Sequence, residues 1–254
     1  MRRAVWALVG KELRDQWWKP ALGTFLLLLV AAVLPITYTE LPRALGQAEV
    51  PRFVQEWLAN LLGSYATYAW TNWFGKNLYQ LLTLFSLILG IGAIATETSR
   101  GTLHFLLSQP LKRQQVLGAK YAVAAVLLSG MAVIPTLALA PLSAALGHPL
   151  EAALVIKGLP AAIAGTLALL SLGLLLSVLF DEALKAAGVA AGAAFVLALP
   201  GWFERTRSLS IFWAMAGHRT FQTGAVPWPA VAALLALASA LYLAAAWALE
   251  RKQL

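Results

Sequence analysis

The chain alternates long apolar runs with short polar segments. Six runs stand out: about 21–38 (ALGTFLLLLVAAVLPITY), 77–96, 121–146, 154–180, 186–203 and 228–249. Each is roughly 18 to 27 residues long, the length that carries a helix across about 30 Å of hydrocarbon with some tilt. Backbone polar groups in lipid must be satisfied within the segment. The runs are too long and too uniform for barrel strands, so helices are predicted. Interior prolines at Pro35, Pro135, Pro141, Pro160 and Pro200 predict kinks, which spanning helices tolerate. The expectation is one all-α transmembrane domain over residues 1–254, an integral membrane protein with six transmembrane helices.

The segments between the runs carry patterns of their own. In residues 1–20, MRRAVWALVGKELRDQWWKP, Val5, Trp6, Leu8, Val9, Leu13, Trp17 and Trp18 recur at helical spacing, while Arg2, Arg3, Lys11, Glu12, Arg14 and Asp15 lie elsewhere. Tryptophan and basic residues anchor helices at headgroup depth, so this reads as an interfacial elbow helix, with Pro20 turning the chain into the first span. Its charges of both signs make it too long for a signal-peptide n-region, and the first span is read as uncleaved. Residues 39–76 read as a long outer loop. Within it, Phe53, Val54, Trp57, Leu58, Leu61, Leu62 and Tyr65 have the spacing of an amphipathic helix. Trp57, Tyr65, Trp70, Trp73 and Phe74 fit either an outer aromatic surface that meets apolar cargo or an aromatic belt on that leaflet. Residues 204–227, with Phe212, Trp213 and Phe221, read as a second outer segment that re-enters the membrane before the last span.

Composition agrees and orients the chain. Sixty per cent of residues are hydrophobic and 12% charged, about half the usual charged share, which excludes a soluble domain and disorder. There are no cysteines, hence no disulfide scaffold or thiolate site. With both termini inside, the inner segments hold twelve of the 19 lysines and arginines and the outer ones seven. The positive-inside rule then places both termini in the cytoplasm of a multi-pass protein of the plasma or inner membrane. The net charge of +8 is spread over segments that flank spans, which fits contact with anionic membrane lipid and no nucleic acid.

The inner segment between the second and third spans, residues 97–120, reads ETSRGTLHFLLSQPLKRQQVLGAK. Thr98 or Ser99 would cap a short helix that Pro110 ends, presenting Leu103, Phe105, Leu106 and Leu107. Such an apolar helix requires lipid or a protein groove. The set Glu97, Gly101, Thr102, Leu106, Leu107, Pro110, Arg113 and Lys120 resembles the corresponding loop of ABC type-2 exporter permeases, roughly E-x3-G-T-x3-L-L-x2-P-x2-R with a lysine opening the next span. The resemblance implies that 101–108 is a coupling helix docking in a separate ATP-binding subunit. Glu97, Gly101, Thr102, Leu103, Phe105, Leu106, Leu107, Pro110 and Arg113 would then serve ATPase coupling. It also implies a unit of two permease copies or homologues and two ATPase subunits, with ATP and magnesium on the partner.

Other chemistry in the sequence is sparse. There is no G-x4-G-K-[ST] phosphate loop; Gly75-Lys76-Asn77 and Gly118-Ala119-Lys120-Tyr121 are the nearest fragments. The chain is therefore read as not an enzyme and as holding no cofactor. His104, His148 and His218 are isolated, so no metal site is expected. No span has a central charge, which argues against a secondary carrier or an intramembrane hydrolase. Lys157 reads as snorkelling from the fourth span and Asp181, Glu182 and Lys185 as a tight turn. Gly188 and Gly192 let helices approach closely, either at a dimer interface or pathway or within one subunit. The expected function is the permease subunit of an ATP-driven exporter for apolar or amphipathic cargo. The rivals are a membrane scaffold that transports nothing and, third, a secondary carrier.

Overall fold

The computed structural model describes residues 2–45, 51, 61–95, 97 and 112–252. The described residues are helical apart from short connections, and six helical stretches are long and apolar enough to cross a membrane. The protein is an all-α integral membrane protein.

The elbow, α1 (Arg2–Gln16), meets the first span, α2 (Trp18–Leu45), at Trp17. Pro20 is not at the break. It sits in the first turn of α2, where a missing N–H leaves no bond unmade. The face that α1 turns to the bundle is not its tryptophan side. Leu8 and Glu12, one turn apart, are buried, whereas Trp6 is 72% exposed and Leu13 and Trp17 point outward. The aromatic stripe thus lies away from the bundle, where lipid headgroups would meet it.

The second span starts earlier than the hydropathy pattern predicts. It comprises α3 (Tyr65–Asn72), a π-helical turn (Trp73–Leu78) and α4 (Tyr79–Gly92). Asn72, Lys76 and Asn77 made this stretch look like the end of a loop. In the structure the two asparagine amides bond to the helix itself, Asn72 Nδ2 to the Tyr68 carbonyl (2.9 Å) and Asn77 Nδ2 to the Asn72 carbonyl (2.8 Å). The helix therefore continues through a polar patch. Ser64 caps its start, accepting from the Thr67 N–H.

The third span, α5 (Arg113–Ala145), and the fourth, α6 (Ala152–Leu179), are followed by α7 (Ala183–Ala198), a 3-10 turn (Leu199–Trp202), and two short helices, α8 (Ile211–Met215) and α9 (His218–Thr223). The sixth span is α10 (Trp228–Arg251). The centre is α6, which packs against α4, α5, α7, α8, α9 and α10. Of its most apolar window, 72% is buried; for the fifth span the figure is 11%. Small residues set the contacts. A Cβ built on Gly90 would lie 2.7 Å from the Leu170 carbonyl oxygen and 2.9 Å from the Gly173 Cα, so α4 and α6 meet backbone to backbone. Met215 of α8 fills the notch left by Gly165. Large apolar side chains such as Phe25, Val126, Phe195 and Leu243 face outward, an exterior suited to lipid and not to water.

Candidate functional site

Helix α1, the start of α5, the end of α6 and the end of α10 converge at one end of the bundle, and several charges there are bound. Lys120 and Glu12 are each 3% exposed. The Lys120 ammonium donates to Glu12 Oε1 at 2.7 Å and to Glu97 Oε1 at 3.3 Å. Glu12 Oε2 accepts from Gln16 Nε2 at 2.7 Å. Leu8, Val116 and Ala119 close an apolar lid beside this cluster. A buried charge is tolerable only when paired and hydrogen-bonded. Here one cation serves two carboxylates from two other segments, so it ties the elbow, the end of the second span and the third span together.

Two further cations fasten the chain end. Arg113 Nη1 donates to the carbonyls of Leu249 (2.9 Å), Glu250 (3.3 Å) and Lys252 (2.8 Å), satisfying carbonyls that the end of α10 leaves open. Lys252 Nζ binds the Val178 carbonyl and Asp181 Oδ1, both at 2.8 Å. The Lys112 N–H donates to Gln115 Oε1 (3.0 Å), starting α5. Within the 181–185 turn, Lys185 pairs with Glu182 at 2.7 Å.

The predicted coupling residues divide accordingly. Gly101, Thr102, Leu103, Phe105, Leu106, Leu107 and Pro110 lie outside the described residues, as does His104. Glu97 and Arg113 lie inside, one on the buried lysine and the other on the end of the last span. The role of Glu12 was missed. It occupies the polar side of the elbow pattern, and nothing local in the sequence tells a solvated glutamate from one facing a buried lysine 108 positions later.

The opposite end holds the aromatic residues. Trp57 lies outside the described residues. Tyr65, Trp70, Trp73 and Phe74 do not form an exposed surface or belt; all four are buried. Their polar atoms are matched: Tyr65 Oη with Ser143 Oγ (2.7 Å), Trp70 Nε1 with the Ala216 carbonyl (3.2 Å), and Trp73 Nε1 with Thr136 Oγ1 (3.1 Å). The correction follows from the π-turn, which keeps these residues on the spanning helix and turns them into the bundle. His148 stacks on Tyr65 with ring centroids 4.9 Å apart. Lys157 does not snorkel free; it donates to the Gly224 carbonyl at 2.9 Å. Gly217, with φ +65°, lies against the Trp70 ring.

Two hollows open at this end. The smaller, about 120 Å³, is walled by Trp70, Trp73, Phe74 and Phe221. The larger, about 350 Å³, lies between the π-turn, the end of the fifth span and residues 210–218. Gly75, Ala194, Ala198 and Gly201 leave the space; Trp202, Phe212 and Trp213 wall it, and Gln80 and His218 bring polar atoms to it. Partial burial, and then the Arg207 charge, holds the His218 pKa below its ordinary value. Among the described residues nothing lies within 4 Å of a Cβ added at Gly188 or Gly192, and both are exposed.

A family model described as "ABC-2 family transporter protein" matches residues 6–202, from the elbow through the fifth span. The chain belongs to the ABC-2 transporter family. No curated protein matches the chain. As an ABC-2 transporter chain it is a multi-pass, transmembrane component of an ABC transporter, a kind that works with an ABC ATPase subunit. The matched region of this ABC-2 chain includes Glu12, Glu97 and Lys120, and so the whole buried cluster.

Proposed function

We propose that this ABC-2 chain is the permease of an ATP-driven exporter, with both termini in the cytoplasm of a plasma or inner membrane. Residues 101–108 form the coupling segment that docks on the ATPase. Two ATPase subunits carry ATP and magnesium, and two permease copies, or this chain and a homologue, form the transmembrane pathway. The fifth span, with Gly188 and Gly192 facing outward, supplies a smooth surface for the second copy. The chain itself hydrolyses nothing. Its cargo is apolar or amphipathic, because five of the six spans hold no ionised side chain near their middle and the second holds one, Lys76 of the π-turn.

The observation that carries this reading is the Glu12–Lys120–Glu97 cluster. Glu97 and Lys120 flank the 101–108 segment in sequence; Lys120 binds Glu97 and, through Glu12, the elbow. A push on that segment is delivered to the third span and the elbow together. The ATPase alters access only to the extent that its nucleotide states contact the two permease conformations with different free energies. The test is co-purification with the ATPase after Leu106→Asp and Leu107→Asp together. The reading predicts loss of the complex and of nucleotide-dependent transport, while the permease alone keeps its melting temperature. Unchanged complex formation and transport would overturn it.

A further inference from the structure

The larger hollow has a charge partner that the transport reading does not use. Trp213 is one of its walls, and the Arg207 guanidinium carbon lies 5.8 Å from the centroid of that ring. Arg219 and Trp213 together line a small adjoining depression. Residues 203–227 contain Arg205, Arg207 and Arg219 against a single acid, Glu204. Among the described residues none of the three arginines has a carboxylate within ion-pair distance, and all three are exposed. Trp202, Phe203 and Trp228, also exposed, mark this end as the depth where aromatic side chains meet headgroups.

We infer that this hollow binds an anionic lipid of the adjacent leaflet, its phosphate at Arg207 and its apolar chain beside Trp213 in the space left by Ala194 and Ala198. Three features select that occupant. A volume of about 350 Å³ is within the roughly 300–1,000 Å³ of ligand sites, and the walls are mostly apolar. Arginines with no carboxylate partner among the described residues stand beside it, which favours an anion over a neutral or cationic headgroup. The position at the end of the fifth span, among exposed aromatic residues, offers access from the bilayer more readily than from bulk water. The inference rests on the chain being a membrane permease but not on its ATPase partnership, and it covers a lipid bound either in transit or as a resident.

The test uses the purified full chain in a neutral detergent, without ATPase. Native mass spectrometry reads retention of phosphatidylglycerol, phosphatidylcholine of the same chains, and glycerol phosphate as the headgroup alone. The expected preference for phosphatidylglycerol over phosphatidylcholine is about tenfold, what one or two interfacial basic residues supply. Arg207→Gln should bring the ratio close to one and Arg207→Lys should retain most of it. Ala198→Trp should lower retention of both lipids, and glycerol phosphate should not bind. Arg251→Gln, an exposed arginine over Trp247 at the other end, should leave the ratio unchanged. Parity in the wild type, a preference that survives Arg207→Gln, an equal loss with Arg251→Gln, or glycerol phosphate binding as firmly as the lipid would each overturn the site. Because Arg207 is exposed, its variants fold irrespective of the outcome for Ala198→Trp. A failure here leaves the co-purification result with the ATPase untouched.

Discussion

At the end where the elbow meets the last turn of the sixth span, three cations are bound to carboxylates or carbonyls: Lys120 between Glu12 and Glu97, Arg113 on the last turn of the sixth span, and Lys252 on Val178 and Asp181. At the opposite end the bundle is joined mainly by neutral bonds, Tyr65 to Ser143 and Trp73 to Thr136, with Lys157 on the Gly224 carbonyl beside them, and it leaves hollows among aromatic rings. Charge-assisted bonds in a dry setting hold one geometry firmly, and losing one partner is costly. Neutral hydroxyl bonds beside hollows are worth less and allow rearrangement. The difference assigns the ends different work. On the proposed function, the elbow end would transmit displacement as a block and the other end would rearrange around its hollows.

The comparison can be broken by substitution. The largest effect is expected from Lys120→Met, which strands two carboxylates. Breaking a buried pair costs about 3–5 kcal/mol, read as a fall in thermal stability of the purified chain. Glu12→Gln, Lys120→Met and Glu97→Gln together should recover most of that loss, because neutral groups need no counter-charge. Next is Gly90→Val at the α4–α6 contact. The neighbours are backbone, so the helices must separate, at about 1–3 kcal/mol by the same measurement. At the opposite end, Tyr65→Phe removes a neutral bond and should cost only about 1 kcal/mol. The smallest effect is at Gly188→Ala and Gly192→Ala, which meet nothing within the chain. Monomer stability should change by less than about 0.5 kcal/mol, while the monomer–dimer balance shifts if the fifth span meets a second copy.

Much of this fold was legible because lipid imposes a simple rule of length and hydropathy. The six spans and the elbow follow from it. Three things were not. The second span was read as starting near Asn77, because hydropathy averages over Asn72, Lys76 and Asn77 without seeing that the asparagine amides bond back onto a π-turned helix. The aromatic residues ahead of it therefore appeared to be loop, and their burial was invisible. Gly188 and Gly192 drew attention as a spaced pair, yet the close approach within the chain is between Gly90 and Gly173, which sit 83 positions apart on different helices. The candidate site was half visible. Glu97, Arg113 and Lys120 stand out in the loop pattern, whereas Glu12 becomes informative only when the elbow is folded against α5.

The central claim is that the buried charge cluster carries motion from the ATPase to the far end. The chain has no cysteine, so a single Gln80→Cys beside the larger hollow gives a clean reporter. The measurement is its maleimide labelling rate in the permease–ATPase complex with and without ATP, in the native background and with Glu12→Gln, Lys120→Met and Glu97→Gln together. The account predicts an ATP-dependent rate in the native background and an ATP-independent one in the neutral variant, with the complex still assembled. An ATP response that persists undiminished in the neutral variant would contradict it.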